Sequence, residues 1–389
     1  MITVEDALSH LFELAGPVET ETVSLARAAT RVLSAPATAR RDQPPFAASA
    51  MDGYAVAGPV EGGESFDLIG ESAAGAAFDA SVPPGKAVRI FTGAPVPAGC
   101  DTVVIQEDVT RDGNRITVTG PHSGRNIRPA GGDFRAGQSL DAPRRLSPSD
   151  IALLAAMNIA EVSVSRKPEI ALISTGNELV MPGDQPGPDQ IIASNTFGLK
   201  ALLDANGAQC RILPIARDTE ASLRQTFALA QGADLVVTIG GASVGDHDLV
   251  GKVAADLGMR QSFYKIAMRP GKPLMAGRMG DAMMVGLPGN PVSAMVCGHV
   301  FLLPVLDHML GLPAKRRPLK TAKLAKPVAA NGAREHYMRA RIDGDQLTAF
   351  ERQDSALLTV LAEANALLKR PIHDGPRDVG DTVEYLPLS

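Results

Sequence analysis

The chain contains no tryptophan, and aromatic residues fill only 4% of its 389 positions. Platforms for stacking the bases of single-stranded nucleic acid are therefore not expected. Positive charge is not in excess either, since 38 Lys and Arg face 43 Asp and Glu for a net charge of −5. A general nucleic-acid binder carries the opposite sign, so an anionic ligand here must be met by a local basic cluster. Cysteine is scarce: Cys100, Cys210 and Cys297 are far apart and form no Cys-x-x-Cys pair. That pattern argues against a disulfide framework or a structural zinc site and suits a reducing compartment. The N-terminus lacks the basic and apolar regions of a secretory signal, and no apolar run is expected to reach membrane-spanning length, so a cytoplasmic protein with no membrane partner is expected. Neither a His-Glu-x-x-His helix nor a Walker A loop is present.

What remains is a globular composition, 45% hydrophobic and 21% charged, in a chain long enough for roughly two to four domains. Residues 3–16 read as a helix opened by a Thr3–Asp6 capping box, with Val4, Leu8 and Leu11 on one face. A second helix start comes at Ser147-Pro148-Ser149-Asp150. Between them, residues 42–140 are rich in Gly and Pro and carry short β-branched runs at Ala87–Phe91, Thr102–Gln106 and Arg115–Val118. This suggests a β-rich module inserted into a helical domain. It opens with Asp52-Gly53, a turn signal, and closes near a Gly-rich segment holding Arg125, Arg128 and Asp133.

Residues 167–312 alternate strand and helix patterns, as a parallel sheet with crossover helices does. Leu235–Ile239 is a β-branched apolar run, followed by Gly240-Gly241-Ala242-Ser243-Val244-Gly245-Asp246-His247-Asp248 and then by a helical pattern. Strand, glycine-rich turn and helix form a site where backbone approaches a ligand closely and N–H groups favour anions. Other short loops follow strands: Ser174–Leu179, Arg217-Asp218, Arg269–Pro273 and Gly286–Ser293. In an open α/β sheet such loops meet at the carboxyl edge. That edge would gather Glu178, Asp218, Asp246 and Asp248 beside Lys265, Arg269 and Lys272. Carboxylates suit Mg²⁺, which takes a few protein oxygens plus substrate phosphates, while cations and glycine backbones suit the phosphates. The expectation is a nucleotide-type or phosphorylated ligand.

Gly241–Gly245 also fits the Gly-x-Ser-x-Gly elbow of serine hydrolases, but no histidine downstream falls in a loop after a sheet strand to serve as base. His299 and His308 fall in a long apolar helix and read as packed residues. The segment 313–318 reads as a boundary. Beyond it, strand patterns at Tyr337–Ile342, Gln346–Phe350 and Thr382–Tyr385 suggest a small β-domain.

With these segments in place the chain resembles the MoeA family of molybdopterin molybdenumtransferases, related to the gephyrin E-domain. The resemblance rests on Ser49–Ala55, Ser174–Leu179, Gly240–Gly245, Arg269–Pro273 and Leu287–Pro291, in that order. It implies a homodimer with a helical domain in two segments (1–41 and 138–166), an inserted β-rich module (42–137), an α/β molybdopterin-binding domain of molybdopterin-adenylyltransferase type (167–312) and a C-terminal β-barrel (313–389). It implies Mg²⁺-dependent insertion of molybdate into adenylylated molybdopterin, with release of AMP. Position by position it implies catalytic roles for Asp52, Glu178, Asp218, Asp248, Lys265 and Arg269, with Asp52 supplied across the dimer. Metal ligands would be Glu178, Asp218 and Asp248. Substrate contacts would be Asp133, Gly240, Gly241, Ser243, Gly245, Pro288, Gly289 and Asn290. Molybdate contacts would be Lys272, Pro273, Ser293, Arg334 and Ser355. Further partners implied are the molybdopterin adenylyltransferase and proteins that mature molybdoenzymes. Two positions depart from the family pattern: Asn177 stands where Asp is common, and Arg269 where Lys is common. Two other activities fit the same resemblance, adenylylation of molybdopterin by ATP and a non-enzymatic dimeric scaffold.

Overall fold

The computed structural model describes residues 1–121, 123–241 and 249–388. The chain forms two compact units, one of Met1–Glu21, Thr30–Ser34 and Val164–Ser389, the other of Thr22–Ala29 and Ala35–Ser163.

The α/β part of the larger unit is built from β1 (Glu169–Ser174), α1 (Asn195–Ala205), β2 (Gln209–Ile212), α2 (Glu220–Leu229), β3 (Leu235–Ile239), α3 (Leu249–Asp256), β4 (Arg260–Tyr264), β5 (Met268–Arg269), β6 (Met275–Met279), β7 (Ala282–Leu287) and α4 (Pro291–Cys297). Its sheet runs in the order β2-β1-β3-β7-β6-β4. The β1–β2, β1–β3 and β3–β7 pairs are parallel, and β6 is antiparallel to both β7 and β4. Two antiparallel steps return β4 to the direction of β7, so the loop after β4 reaches the same edge as the loops after the parallel strands. The chain moves from β1 to β2 on one side and then to β3 on the other. That reversal opens a crevice at the carboxyl ends of β1 and β3.

All five residues of β3 are buried, as a strand covered on both faces requires. The alternation of side chains sorts them into two layers. Ile170, Leu172, Leu235, Val237 and Val285 pack with Leu199 and Leu203 of α1. Ala171, Ile173, Val236 and Met284 pack with Leu223 and Phe227 of α2 and Val250 and Val253 of α3. Each such aliphatic side chain contributes about 1.5–3 kcal/mol on burial. The N-terminal helix Val4–Leu14 joins the first layer through Val4, Ala7, Leu8 and Leu11. Its capping box is reciprocal, with Asp6 N–H donating to Thr3 Oγ1 (3.0 Å) and Thr3 N–H to Asp6 Oδ2 (3.1 Å).

The apolar helix after β7 is interrupted: Pro291–Cys297 and Leu303–Met309 are α-helical, with a π-turn at Gly298–Leu302 between them. Pro291–Met309 is, among the described residues, the single helical run long and apolar enough to cross a membrane, contrary to the expectation that no apolar run reaches that length. Its most apolar window is 78% buried inside the fold, as a core helix is.

The C-terminal part contributes β8 (Lys320–Leu324), β9 (Glu335–Asp343), β10 (Gln346–Ala349), β11 (Ala366–Arg370) and β12 (Thr382–Pro387). They follow one another in the order β9-β10-β8-β12-β11, and β11 pairs back onto β9 to close a five-stranded barrel. Closure removes the exposed edges that a small sheet otherwise leaves. The short strand β5 adds to β9 from outside, with Arg269 in register with His336.

The smaller unit carries a six-stranded sheet in the order Thr102–Ile105, Gly53–Val56, Lys86–Ile90, Ser65–Ser72, Arg115–Val118, Val109–Asp112. Tyr54, Val56, Phe66, Val104 and Ile116 form its core. The helix Pro148–Ala156, capped by Ser147 and Asp150, belongs to the same unit.

Candidate active site

The loop after β1 turns at Gly176, whose φ of +145° is rarely open to other residues. A Cβ there would overlap the Glu178 carboxylate, which folds back over the glycine. Three side chains, in two braces, fix this loop against the one after β2. Asn177 and Asp218 bind each other reciprocally: Asn177 N–H donates to Asp218 Oδ2 (3.3 Å) and Asp218 N–H to Asn177 Oδ1 (3.1 Å). Arg217 Nη1 donates to the carbonyls of Asn177 and Leu179, each at 3.0 Å. The amide at Asn177 thus does structural service, and neither brace was visible as a motif. Glu178 and Asp218 stay exposed. The Glu178 carboxylate accepts no hydrogen bond from the described residues.

The loop after β3 meets them. Gly240 has φ +93°, and a Cβ on it would lie 2.7 Å from the Thr175 carbonyl oxygen. Its N–H is already donated to Leu287 O at 3.1 Å. Gly240 therefore serves by its lack of bulk, while Gly241, at φ +66°, sits where a Cβ would strike Val250. On the far side, Asn195 Nδ2 donates to Gly289 O (2.7 Å) and anchors the loop after β7. Asn290 is the N-cap of α4 but makes no side-chain capping bond, so its amide remains available.

These loops enclose a cleft of about 1040 Å³. Of the residues expected in the site, Glu178, Asp218, Gly240, Gly241, Pro273, Pro288, Gly289 and Asn290 line it. Ser243, Gly245 and Asp248, with Asp246 and His247, lie outside the described residues. Among the described residues no group of three or more metal-ligating side chains occurs.

The expected basic residues and molybdate contacts do not line the cleft, apart from Pro273. Lys265 adopts φ +76°, with its ammonium 5.2 Å from the centre of the Tyr264 ring. Lys265 and Ile266 close the loop back on itself through Leu274 O (3.1 Å) and Lys272 O (3.0 Å). Arg269 and Lys272 are exposed, Arg334 and Ser355 half-buried, and Ser293 buried on α4. Ser355 reaches the same helix, its carbonyl accepting Val292 N–H at 3.0 Å. Ala356, next in the chain, lines the cleft.

Two barrel residues near this cluster are absent from the expected site. His336 and Arg339 of β9 are buried, 7% and 0% exposed. Burial, with Arg269, Arg339, Arg370 and Arg334 around it, lowers the His336 pKa to about 4 and keeps the ring neutral. A dense run of cations on one strand and the strand joined to it was the available signal.

Asp52 and Asp133 lie in the smaller unit. Asp52 accepts hydrogen bonds from the backbone and hydroxyl of Thr92, both at 2.7 Å, which hold its carboxyl below the ordinary range. Asp133 is exposed.

An α/β sheet with a glycine-walled, carboxylate-lined cleft at its switch point, joined to a closed barrel, belongs to the class of multi-domain proteins that bind a small ligand at the strand ends. Known proteins narrow the class. Residues 2–158 match the MoeA N-terminal region (domains I and II), residues 171–308 a probable molybdopterin binding domain, and residues 321–388 the MoeA C-terminal region (domain IV). A molybdopterin molybdenumtransferase from Nostoc sp. is 35% identical over all of this chain and 94% of its own length. One from Haemophilus influenzae is 34% identical, covering 100% and 99%. The crystal structure of a molybdopterin biosynthesis MoeA protein from Pyrococcus horikoshii superposes with a TM-score of 0.84 at 28% identity, covering 100% and 99%. The chain belongs to the MoeA family of molybdopterin molybdenumtransferases.

Proposed function

We propose that this protein inserts molybdate into adenylylated molybdopterin and releases AMP, a step of molybdenum cofactor biosynthesis. The observation that carries this reading is the single cleft of about 1040 Å³ in which Glu178, Asp218, the Gly240-Gly241 turn and the Pro288–Asn290 loop meet. It is large enough for a substrate with a pterin at one end and a nucleotide at the other.

In this reading the Gly240-Gly241 turn lets the pyrophosphate approach the backbone closely, and Ser243, Gly245 and Asn290 complete the substrate contacts with Pro288, Gly289 and Asp133. Lys265 and Arg269 offset the phosphate charge. Lys272, Pro273, Ser293, Arg334 and Ser355 hold molybdate, a tetrahedral dianion, until the dithiolene takes up molybdenum. An oxygen from molybdate or from water then bonds to phosphorus as the pyrophosphate P–O bond breaks, and AMP leaves. Glu178 and Asp218 fit Mg²⁺: both are exposed oxygen donors, and the metal prefers few protein ligands beside substrate phosphates. With Asp248 they would hold it, and when bound it would neutralise charge on the leaving phosphate.

We further infer a cytoplasmic homodimer in which the partner subunit's Asp52 completes the cleft, with the molybdopterin adenylyltransferase as the donor of its substrate. The four-domain division at residues 41, 137, 166 and 312 belongs to the same reading. The test is AMP release from adenylylated molybdopterin. Release that requires both molybdate and Mg²⁺ is expected. Consumption of ATP with no need for adenylylated substrate would instead assign the preceding step.

A further inference from the structure

Arg339 carries the least expected environment in the barrel. It is completely buried, yet among the described residues no carboxylate hydrogen-bonds its guanidinium. Its Nη2 donates instead to backbone, to Asp354 O at 2.9 Å and Arg352 O at 3.5 Å. Its Nε and Nη1 have no hydrogen-bond partner among the described residues. Burying a charge is costly, and although the Asp354 carboxylate offsets part of that cost, burial and the nearby Arg269 outweigh it. The contact with the 352–354 backbone is therefore made at the expense of stability.

Gln353 completes the contact. Its side chain mimics a neighbouring strand, accepting Arg339 N–H at 3.0 Å and donating to Arg339 O at 3.0 Å and Phe350 O at 2.7 Å. Arg339 and Gln353 thus clamp residues 352–354 to β9 from both sides. The segment so held continues directly into Ser355, whose carbonyl accepts Val292 N–H on α4, and into Ala356 in the cleft wall. Asp354 Oδ1 accepts Ala356 N–H at 2.8 Å and fixes the turn between them.

We propose that Arg339 and Gln353 are positioning residues for the oxyanion: they set Ser355 between the barrel and α4, and the buried guanidinium supplies a fixed positive charge behind it. The inference rests on the assignment of molybdate as substrate. Neither residue lines the cleft assigned to the pterin substrate, so the effect is expected on molybdate alone.

The experiment measures AMP release by the full-length wild type and by Gln353→Ala, with molybdate varied at saturating adenylylated molybdopterin and then the reverse. Gln353 is half-buried, and its loss leaves the barrel core intact. The KM for molybdate is expected to rise about tenfold, with kcat and the KM for the pterin substrate within about twofold, as loss of ground-state binding of one substrate predicts. Gln353→Glu, which keeps the acceptor for Arg339 N–H, is expected to fall between the two. Arg339→Lys keeps charge without the fork and is expected to raise the molybdate KM further. An unchanged molybdate KM in Gln353→Ala, or equal changes for both substrates, overturns the proposal. Absence of molybdate-dependent AMP release in the wild type would overturn the functional reading instead, so the two failures are distinguishable.

Discussion

The α/β edge and the barrel treat charge in opposite ways. At the edge, Glu178 and Asp218 are held out on exposed loops, and the bonds that fix those loops go mainly to backbone. In the barrel, Arg339 and Arg370 are among the largest fully buried side chains, and both grip the carbonyls of neighbouring loops. Arg370 also binds Asp374 at 2.6 Å. The edge keeps charge available for a ligand, whereas the barrel uses it to hold chain segments in place. Substitution should accordingly damage activity at Asp218 and folding at Arg370.

The largest effect is expected in the barrel. Arg370→Leu strands the buried Asp374 beside a single remaining arginine, Arg377, and should cost about 3–5 kcal/mol in chemical denaturation. A loss of activity without loss of stability would break the contrast. At the edge, Asp218→Ala should lower kcat for AMP release by about two orders of magnitude, as removal of one charge-stabilising group does. Its melting temperature should stay near that of the wild type, because the side chain is exposed. Unchanged AMP release with unchanged folding would remove Asp218 from the machinery. Arg217→Ala leaves the carboxylates but frees their loops. About a tenfold fall in kcat/KM is expected, from misplacement rather than lost chemistry, with Arg217→Lys recovering part of it.

The smallest effect is a pH dependence. Burial holds His336 at a pKa of about 4 in the fold, against about 6.5 when unfolded. The unfolded chain binds the proton first, so this contribution to stability is complete above pH 6.5 and declines as pH falls towards 4. At pH 5.5 the loss should be about 1.4 kcal/mol for this residue. His299, lowered to about 4 by burial and by Arg317, acts in the same direction. Unfolding midpoints measured between pH 7.5 and 5 test this, and His336→Gln should flatten part of the slope.

The strand-end loops were legible because glycine and proline punctuate a buried strand in a way that local sterics dictate. The β3 run and the Thr3 and Ser147 capping boxes appear where their patterns place them. Closure of the barrel was less legible. Ala366–Arg370 alternates poorly because Arg370 turns inward, and a buried arginine reads as surface until its partner Asp374 is known. The direction of β4 depended on two antiparallel pairings that no local pattern encodes. Pro273 reaches the cleft while Lys272 beside it faces solvent, a distinction that motif matching along the chain does not make. The braces through Arg217 and Gln353 join segments distant in sequence or act through backbone carbonyls, so composition gives no sign of them.

The most direct measurement is a crystal structure of the protein with AMP and molybdate bound together. The account predicts the AMP phosphate against the Gly240-Gly241 turn, with Glu178 and Asp218 alongside, and molybdate beside Lys272 and Ser355. AMP outside this cleft, or molybdate remote from the 352–356 segment, would contradict it.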